Sequence, residues 1–186
     1  MKRARRIVVS IAVSADGYIA RPDGDFSWLD RPRPKGNYGM NAFLRSIDTV
    51  LWGRKTYEIG LKFGGANLGL GPGFRNYVFS RKPPKKAPAG ATFVRGSIRA
   101  FARRLRREPG KDVWIMGGAS LIASFLDAGQ IDAFSIFVIP VFIGSGIPLA
   151  APRRRLLPLK LRAARPFPDG VVKLEYDVRR GDRQSK

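Results

Sequence analysis

Residues 112–129 read DVWIMGGASLIASFLDAG. The run at 112–116 is short, apolar and rich in β-branched and aromatic residues. That pattern predicts a strand covered on both faces. Gly117 and Gly118 follow, and a helix is predicted over 119–128, with Leu121, Ile122, Phe125 and Leu126 on one face. Gly129 stands where a helix commonly ends in a left-handed residue. Strand, two glycines and helix leave no room for a longer loop. This is the βα turn of a parallel sheet, and it points the free N–H groups and positive dipole end of a helix beyond a strand end.

The same arrangement recurs outward from this stretch. Leu51 and Trp52 run into Gly53-Arg54-Lys55-Thr56, and Phe79 runs more loosely into Ser80-Arg81-Lys82. Further strands are predicted at 7–13, 49–52, 76–80, 91–94 and 134–138, a helix at 40–47, and a helix start at Lys55–Ile59 that gives way to a glycine-rich loop over 60–73. Ser97 caps a helix whose Ile98, Phe101, Ala102 and Leu105 fall at i, i+3, i+4 and i+7. Two last strands, 159–164 and 171–178, form a hairpin about Pro168-Asp169-Gly170. Alternating strands and helices predict an α/β domain with a mainly parallel sheet and an antiparallel C-terminal edge. One domain is expected over 1–178, with 179–186 as a basic, unstructured tail.

The chain has 186 residues, with 35 basic against 14 acidic, and neither Cys nor His. Disulfides, thiolate nucleophiles, Ser-His triads and Cys or His metal sites are thereby excluded, and no metal is expected. Any chemistry uses a carboxylate, a hydroxyl, a lysine or a borrowed cofactor. The net charge of +21 is concentrated in residues 1–6, 81–86, 95–107, 153–165 and 178–186. Such a field attracts polyanions, so nucleic acid is a conceivable partner, but no recognition motif for it is present.

Two segments imitate membrane signals. The basic start followed by 7–15 resembles a signal peptide, yet Ser10 and Ser14 interrupt it and a buried strand fits better. Residues 133–151 carry no charge, but Pro140, Gly144, Gly146 and Pro148 would leave backbone groups unpaired in lipid, so a buried strand at 134–138 followed by a Pro/Gly loop fits better. A soluble, cytoplasmic protein is expected.

An ordered set of motifs spans nearly the whole chain: VSADGYIA (13–20), LWGRKTYE (51–58), YVFSRKP (77–83), VWIMGGASLIASFL (113–126) and IPVFIGSGIPL (139–149). Through them the chain resembles the dihydrofolate reductase-like superfamily, and within it the reductase domain of riboflavin-biosynthesis proteins and stand-alone bacterial relatives. The resemblance implies a central, mostly parallel eight-stranded sheet with an antiparallel C-terminal edge, flanked by helices. It also implies an NADPH-dependent oxidoreductase. Gly53, Arg54, Lys55 and Thr56 would hold phosphates, and Ser80, Arg81 and Lys82 the 2′-phosphate and adenine. Gly117, Gly118, Ala119, Ser120 and Leu121 would back the pyrophosphate, with a cis bond between the two glycines. Val13, Ser14 and Ala15 would face the nicotinamide, under a lid formed by residues 16–30. A homodimer is expected, with 134–149 as its surface.

The sequence departs from dihydrofolate reductases in one respect. Residues 37–42, NYGMNA, carry no acid where those enzymes place one on the first helix. The substrate is therefore expected to be another small, flat or carbonyl- or imine-containing molecule. Asp16 is the catalytic candidate, with water as the other proton source. The lid carboxylates Asp23, Asp25 and Asp30 are weaker candidates, and Tyr18 and Trp28 are candidates to stack on substrate. Each has a plainer reading, as turn residue or hydrophobic plug. Two other functions remain open: a nucleotide-binding relative without catalysis, and a module that binds nucleic acid or another polyanion.

Overall fold

A computed structural model describes residues 4–64, 70, 73–86 and 88–179. The expected basic tail lies outside them apart from Arg179, as does much of the glycine-rich stretch 60–73. Among the described residues, ten strands and four α-helices follow in the order β1 (Ile7–Ser14), β2 (Tyr18–Ala20), α1 (Met40–Ser46), β3 (Ile47–Gly53), α2 (Arg54–Gly64), β4 (Arg75–Phe79), β5 (Ala91–Val94), α3 (Ile98–Arg107), β6 (Asp112–Gly117), α4 (Ala119–Asp127), β7 (Ala133–Ile139), β8 (Ile147–Pro148), β9 (Leu159–Pro166) and β10 (Val172–Val178).

Eight strands form one sheet in the order β5-β4-β3-β6-β1-β7-β10-β9. All neighbours are parallel from β5 to β7; β10 and β9 are antiparallel. The α/β class, the eight strands and the antiparallel edge are thus as expected. The apolar runs read as strands do occupy the middle of the sheet. On one face Ile7, Val9, Leu51, Val113 and Ile115 pack against Phe101 and Leu105 of α3 and Leu121, Ile122 and Phe125 of α4. On the other, Val50, Trp52 and Trp114 pack with Tyr57 of α2, Phe43 and Leu44 of α1.

Two elements differ from expectation. Helix α2 does not stop at Ile59 but runs through Gly60 to Gly64, because Leu61 packs into the second cluster. Burial there outweighs glycine's low helix propensity of about 1 kcal/mol. The chain at 147–148, expected as loop, instead pairs with β2 to form a separate two-stranded sheet. Among the described residues no helix is long and apolar enough to cross a membrane.

Candidate active site

The strand register brings two of the glycine turns to one place. Trp52, the last residue before Gly53, pairs with Gly117 across β3 and β6. A Cβ built on Gly53 would lie 3.2 Å from the Gly118 nitrogen and 3.3 Å from the Gly117 oxygen. A Cβ on Gly118 would lie 3.1 Å from Thr56 Oγ1. The peptide bond between Gly117 and Gly118 is cis. The two βα turns therefore touch backbone to backbone, with no side chain between them.

Helix α4 starts directly above. Its cap residue Gly118 contributes no side chain, and its carbonyl accepts from the Leu121 and Ile122 amides. Ala119 and Leu121 are buried. Beside this, Val13 and Ser14 end β1, both buried, and the Ala15 amide donates to the Val141 carbonyl at 2.8 Å. On the other flank the Ser80 amide donates to the Val94 carbonyl, and Ser80 Oγ accepts from the Lys82 amide. Arg81 and Lys82 are exposed at this rim. Arg54 is not free: its guanidinium binds Glu58 at 2.6 Å. The cofactor candidates thus gather along the carboxyl ends of β1, β3, β4 and β6, where α/β sheets bind ligands.

The carboxylate candidates are arranged differently. Asp16 accepts from the amides of Ile143 and Gly144, the latter at 2.8 Å. The Ser14 hydroxyl, then these amides, hold its carboxyl below the usual carboxylate range. Asp16 is therefore ionised at neutral pH and fastens the β1–β2 turn to the loop after β7. Asp25 accepts from the Ser27 amide and hydroxyl, and Asp23 from the Asp25 amide, so both organise their own turn. Trp28 joins Phe137, Ile139, Val171, Ala12 and Tyr38 in a third apolar cluster, to which Tyr18 does not belong. The indole N–H of Trp28 is buried and has no protein partner.

A groove of about 430 Å³ opens beside that cluster, between α1 and strands β1, β7 and β10. Its floor includes Ser10, Ser135 and Glu175, which are neighbours in one row across the three strands. Ser10 is only 5% exposed. Lys173 sits beside Glu175, with Nζ 2.8 Å from Oε1 and 5.6 Å from the Phe137 ring centre. Tyr38, Met40 and Phe43 form the wall. Sequence reading missed this groove. The one signal was Ser10, a hydroxyl inside an apolar central strand. Glu175 lies more than a hundred residues from α1, and only the sheet order brings it opposite that helix.

The groove's upper wall holds unusual backbone. Asn37 and Tyr38 have φ of 45° and 55°, between the left-handed Gly36 and Gly39. Such conformations are uncommon for residues with a side chain and need support from their surroundings. Here Tyr38 Oη donates to Asp169, on the β9–β10 turn, and Arg31 donates to the Asp169 carbonyl at 2.7 Å.

Sheet order, antiparallel C-terminal pair and strand-end turns together define the dihydrofolate reductase-like class. Dihydrofolate reductase from Enterococcus faecalis has the same fold, with a TM-score of 0.66 at 16% identity over 93% of this chain and 96% of that one. Within this class the chain belongs to the RibD C-terminal domain family, whose model matches residues 5–173. The uncharacterized protein YwjB of Bacillus subtilis is 40% identical over 177 residues, which are 92% of this chain and 97% of YwjB. YyaP of the same organism is 33% identical over 183 residues, 94% and 95% of the two chains. The crystal structure of a putative riboflavin biosynthesis protein from Shewanella sp. PV-4 superposes with a TM-score of 0.82 at 26% identity, covering 94% of this chain and 99% of that one.

Proposed function

We propose that the chain is an NADPH-dependent oxidoreductase of a small, flat or carbonyl- or imine-containing molecule. One observation carries the reading: Gly53, Gly117 and Gly118 meet backbone to backbone at the strand ends, where a side chain would intrude. Such a surface suits a pyrophosphate, which needs close approach to peptide N–H groups and a helix N-terminus. The E. faecalis protein of the same fold is complexed with NADP(H).

Bound there, NADPH supplies the hydride. Gly117, Gly118, Ala119, Ser120 and Leu121 back its pyrophosphate, and Thr56 borders it from α2. Lys55, Arg81 and Lys82 supply cations for further phosphate, and Ser80 lies beside them; Arg54 contributes only by leaving Glu58. Val13, Ser14 and Ala15 line the nicotinamide side. The substrate takes the groove on the β1–β7–β10 face, whose upper end at Phe137 is one sheet row from Val13. Ser10, Ser135 and Glu175 offer hydrogen bonds to its edge, and Tyr38 and Phe43 offer apolar walls to its faces. Trp28 supports that end of the groove from behind, packed in the cluster that holds Phe137 and Tyr38. The proton comes from water, directly or by way of Asp16, whose carboxylate is held by the Ile143 and Gly144 amides.

Titration of NADPH against intrinsic tryptophan fluorescence tests the reading. Saturable quenching is expected; no binding at high micromolar NADPH and low salt overturns it. A second reading, polyanion binding, is favoured by Arg99, Arg103 and Arg107, exposed at i, i+4 and i+8 on α3. No acid on that helix relieves their mutual repulsion. It predicts duplex DNA affinity that falls steeply with salt and is unchanged by substitution at Gly117.

A further inference from the structure

We infer that the groove between α1 and strands β1, β7 and β10 admits an uncharged substrate and turns away phosphorylated or carboxylated ones, with Glu175 as the residue that sets this specificity. The inference rests on the placement of the substrate in that groove. The chain carries +21 overall. The charged side chains lining the groove are Arg6, Arg162 and Lys173 against Asp112, Glu175 and Asp177. Three of each sign make the groove locally neutral on a strongly basic protein.

Each of those cations already has a carboxylate. Arg6 binds Asp177 at 2.6 Å, and Arg162 reaches the other oxygen of Asp177 at 3.3 Å. Lys173 binds Glu175 at 2.8 Å, and its ammonium also lies 5.6 Å from the Phe137 ring centre. A phosphate or carboxylate entering the groove would have to take one of these cations from its partner. The displaced carboxylate would stay beside the new anion, and like charges in contact repel. Ser10 and Ser135, in the same row as Glu175, offer hydroxyls instead. A hydroxyl both donates and accepts and needs no counter-charge. Met40, Phe43 and the ring of Tyr38 supply apolar walls. Apolar walls around a few uncharged polar groups suit a flat neutral molecule with a carbonyl or imine edge.

Anionic and neutral ligands are thereby sorted to different places. Arg81 and Lys82 stand exposed at the strand-end rim, and the N-terminus of α4 adjoins Gly53. A dinucleotide's phosphates meet positive potential there and balanced charge in the groove. Glu175 is the group on which the balance turns, because it both occupies Lys173 and places its own negative charge beside the two hydroxyls. Its side chain is 44% exposed, so its charge can be removed without opening the core. That removal leaves Lys173 without the acid it pairs with and makes the groove net positive.

Benzamide, benzoate and phenyl phosphate test this, since they share one flat ring and are neutral, singly charged and close to doubly charged. Each is titrated into the full chain at constant salt and followed by NMR at the backbone amides of Ser135 and Glu175, so binding elsewhere on the basic surface does not register. In the wild type, benzamide is expected to bind about tenfold more tightly than phenyl phosphate, with benzoate between them. That is the scale of one like-charge contact at a partly exposed site. Glu175→Gln is expected to bind phenyl phosphate about tenfold more tightly than the wild type does, with benzamide changed less than about threefold. Lys173→Gln keeps the carboxylate and should still reject phenyl phosphate. Circular dichroism of both variants should match wild type. A wild type that takes phenyl phosphate as tightly as benzamide, one that binds none of the three at these amides, or a Glu175→Gln variant that gains nothing each overturns the inference. The cofactor reading fails separately: absence of NADPH quenching removes it without changing the order of the three probes, and a wrong order leaves NADPH quenching intact.

Discussion

Asp48→Ala is expected to lower stability by about 3–5 kcal/mol, because it strands a buried cation. Arg5 is 3% exposed. Its guanidinium donates to the Lys111 carbonyl at 2.6 Å, to Thr49 Oγ1 at 2.7 Å and to the Asp48 carboxylate. The remaining nitrogen, Nη1, is buried without a hydrogen bond, and its nearest carboxylate oxygen, on Glu108, is 3.9 Å away. Asp48 also accepts from the Thr49 hydroxyl and the Lys111 amide, and thereby ties the starts of β1, β3 and β6 together. Burial alone raises the Asp48 carboxyl. Thr49, Lys111, Arg5 and Arg75 outweigh it and hold the group below its ordinary value. A carboxyl depressed in the folded state stabilises above the unfolded value of about 3.9 and ceases to as pH falls through the lower folded value. Urea unfolding at neutral pH should show the loss, and the variant should lack this group's share of the acid decline. A neutral-pH difference under about 1 kcal/mol would sink the account, since that is the scale of an exposed ion pair. Replacing both partners, Arg5→Met with Asp48→Leu, should recover much of the loss.

The second large effect concerns ligand binding. Gly53→Ala is expected to weaken NADPH at least tenfold, or about 1.4 kcal/mol. Its Cβ would meet the nitrogen of Gly118 and the oxygen of Gly117 at 3.2 and 3.3 Å. Both are backbone atoms of the β6–α4 turn and cannot turn aside. Gly118→Ala meets the Thr56 hydroxyl, a side chain that can rotate, so its effect should be smaller. The order Gly53→Ala worse than Gly118→Ala distinguishes a backbone cradle from a general loss of packing. Fluorescence titration at constant salt reads both. Wild-type affinity in Gly53→Ala would remove these turns from the nucleotide site.

Much of the fold was legible because buried strands announce themselves locally. Residues 49–52 and 112–116 are apolar on both faces, and the glycines after them mark turns whatever the rest of the chain does. Helix α3 was equally plain, since its apolar stripe and Ser97 cap are short-range features; Ser97 Oγ accepts from the Ala100 amide. The extension of α2 was not legible, because it depends on what Leu61 meets. The pairing of 147–148 with 18–20 joins segments separated by most of the chain, and two or three residues carry too little pattern to predict it.

The site divides along the same line. The strand-end glycines were visible as motifs, because a turn that excludes side chains must be written in glycine. That Gly53 and Gly118 touch was decided by the register of β3 against β6. Asp16 was visible as a candidate acid on a turn, but that it accepts from the amides of residues 143 and 144 depends on the fold. Residues 37–42 carry no acid, and Glu175 reaches the groove only because the sheet order carries it there. Sequence by itself determined the α/β class, the family and the strand-end turns, since these rest on neighbours along the chain. The tertiary structure decided which amides each acid meets, where a groove opens and which residues line it. Those outcomes depend on side chains from distant segments competing for the same hydrogen bonds and the same buried area.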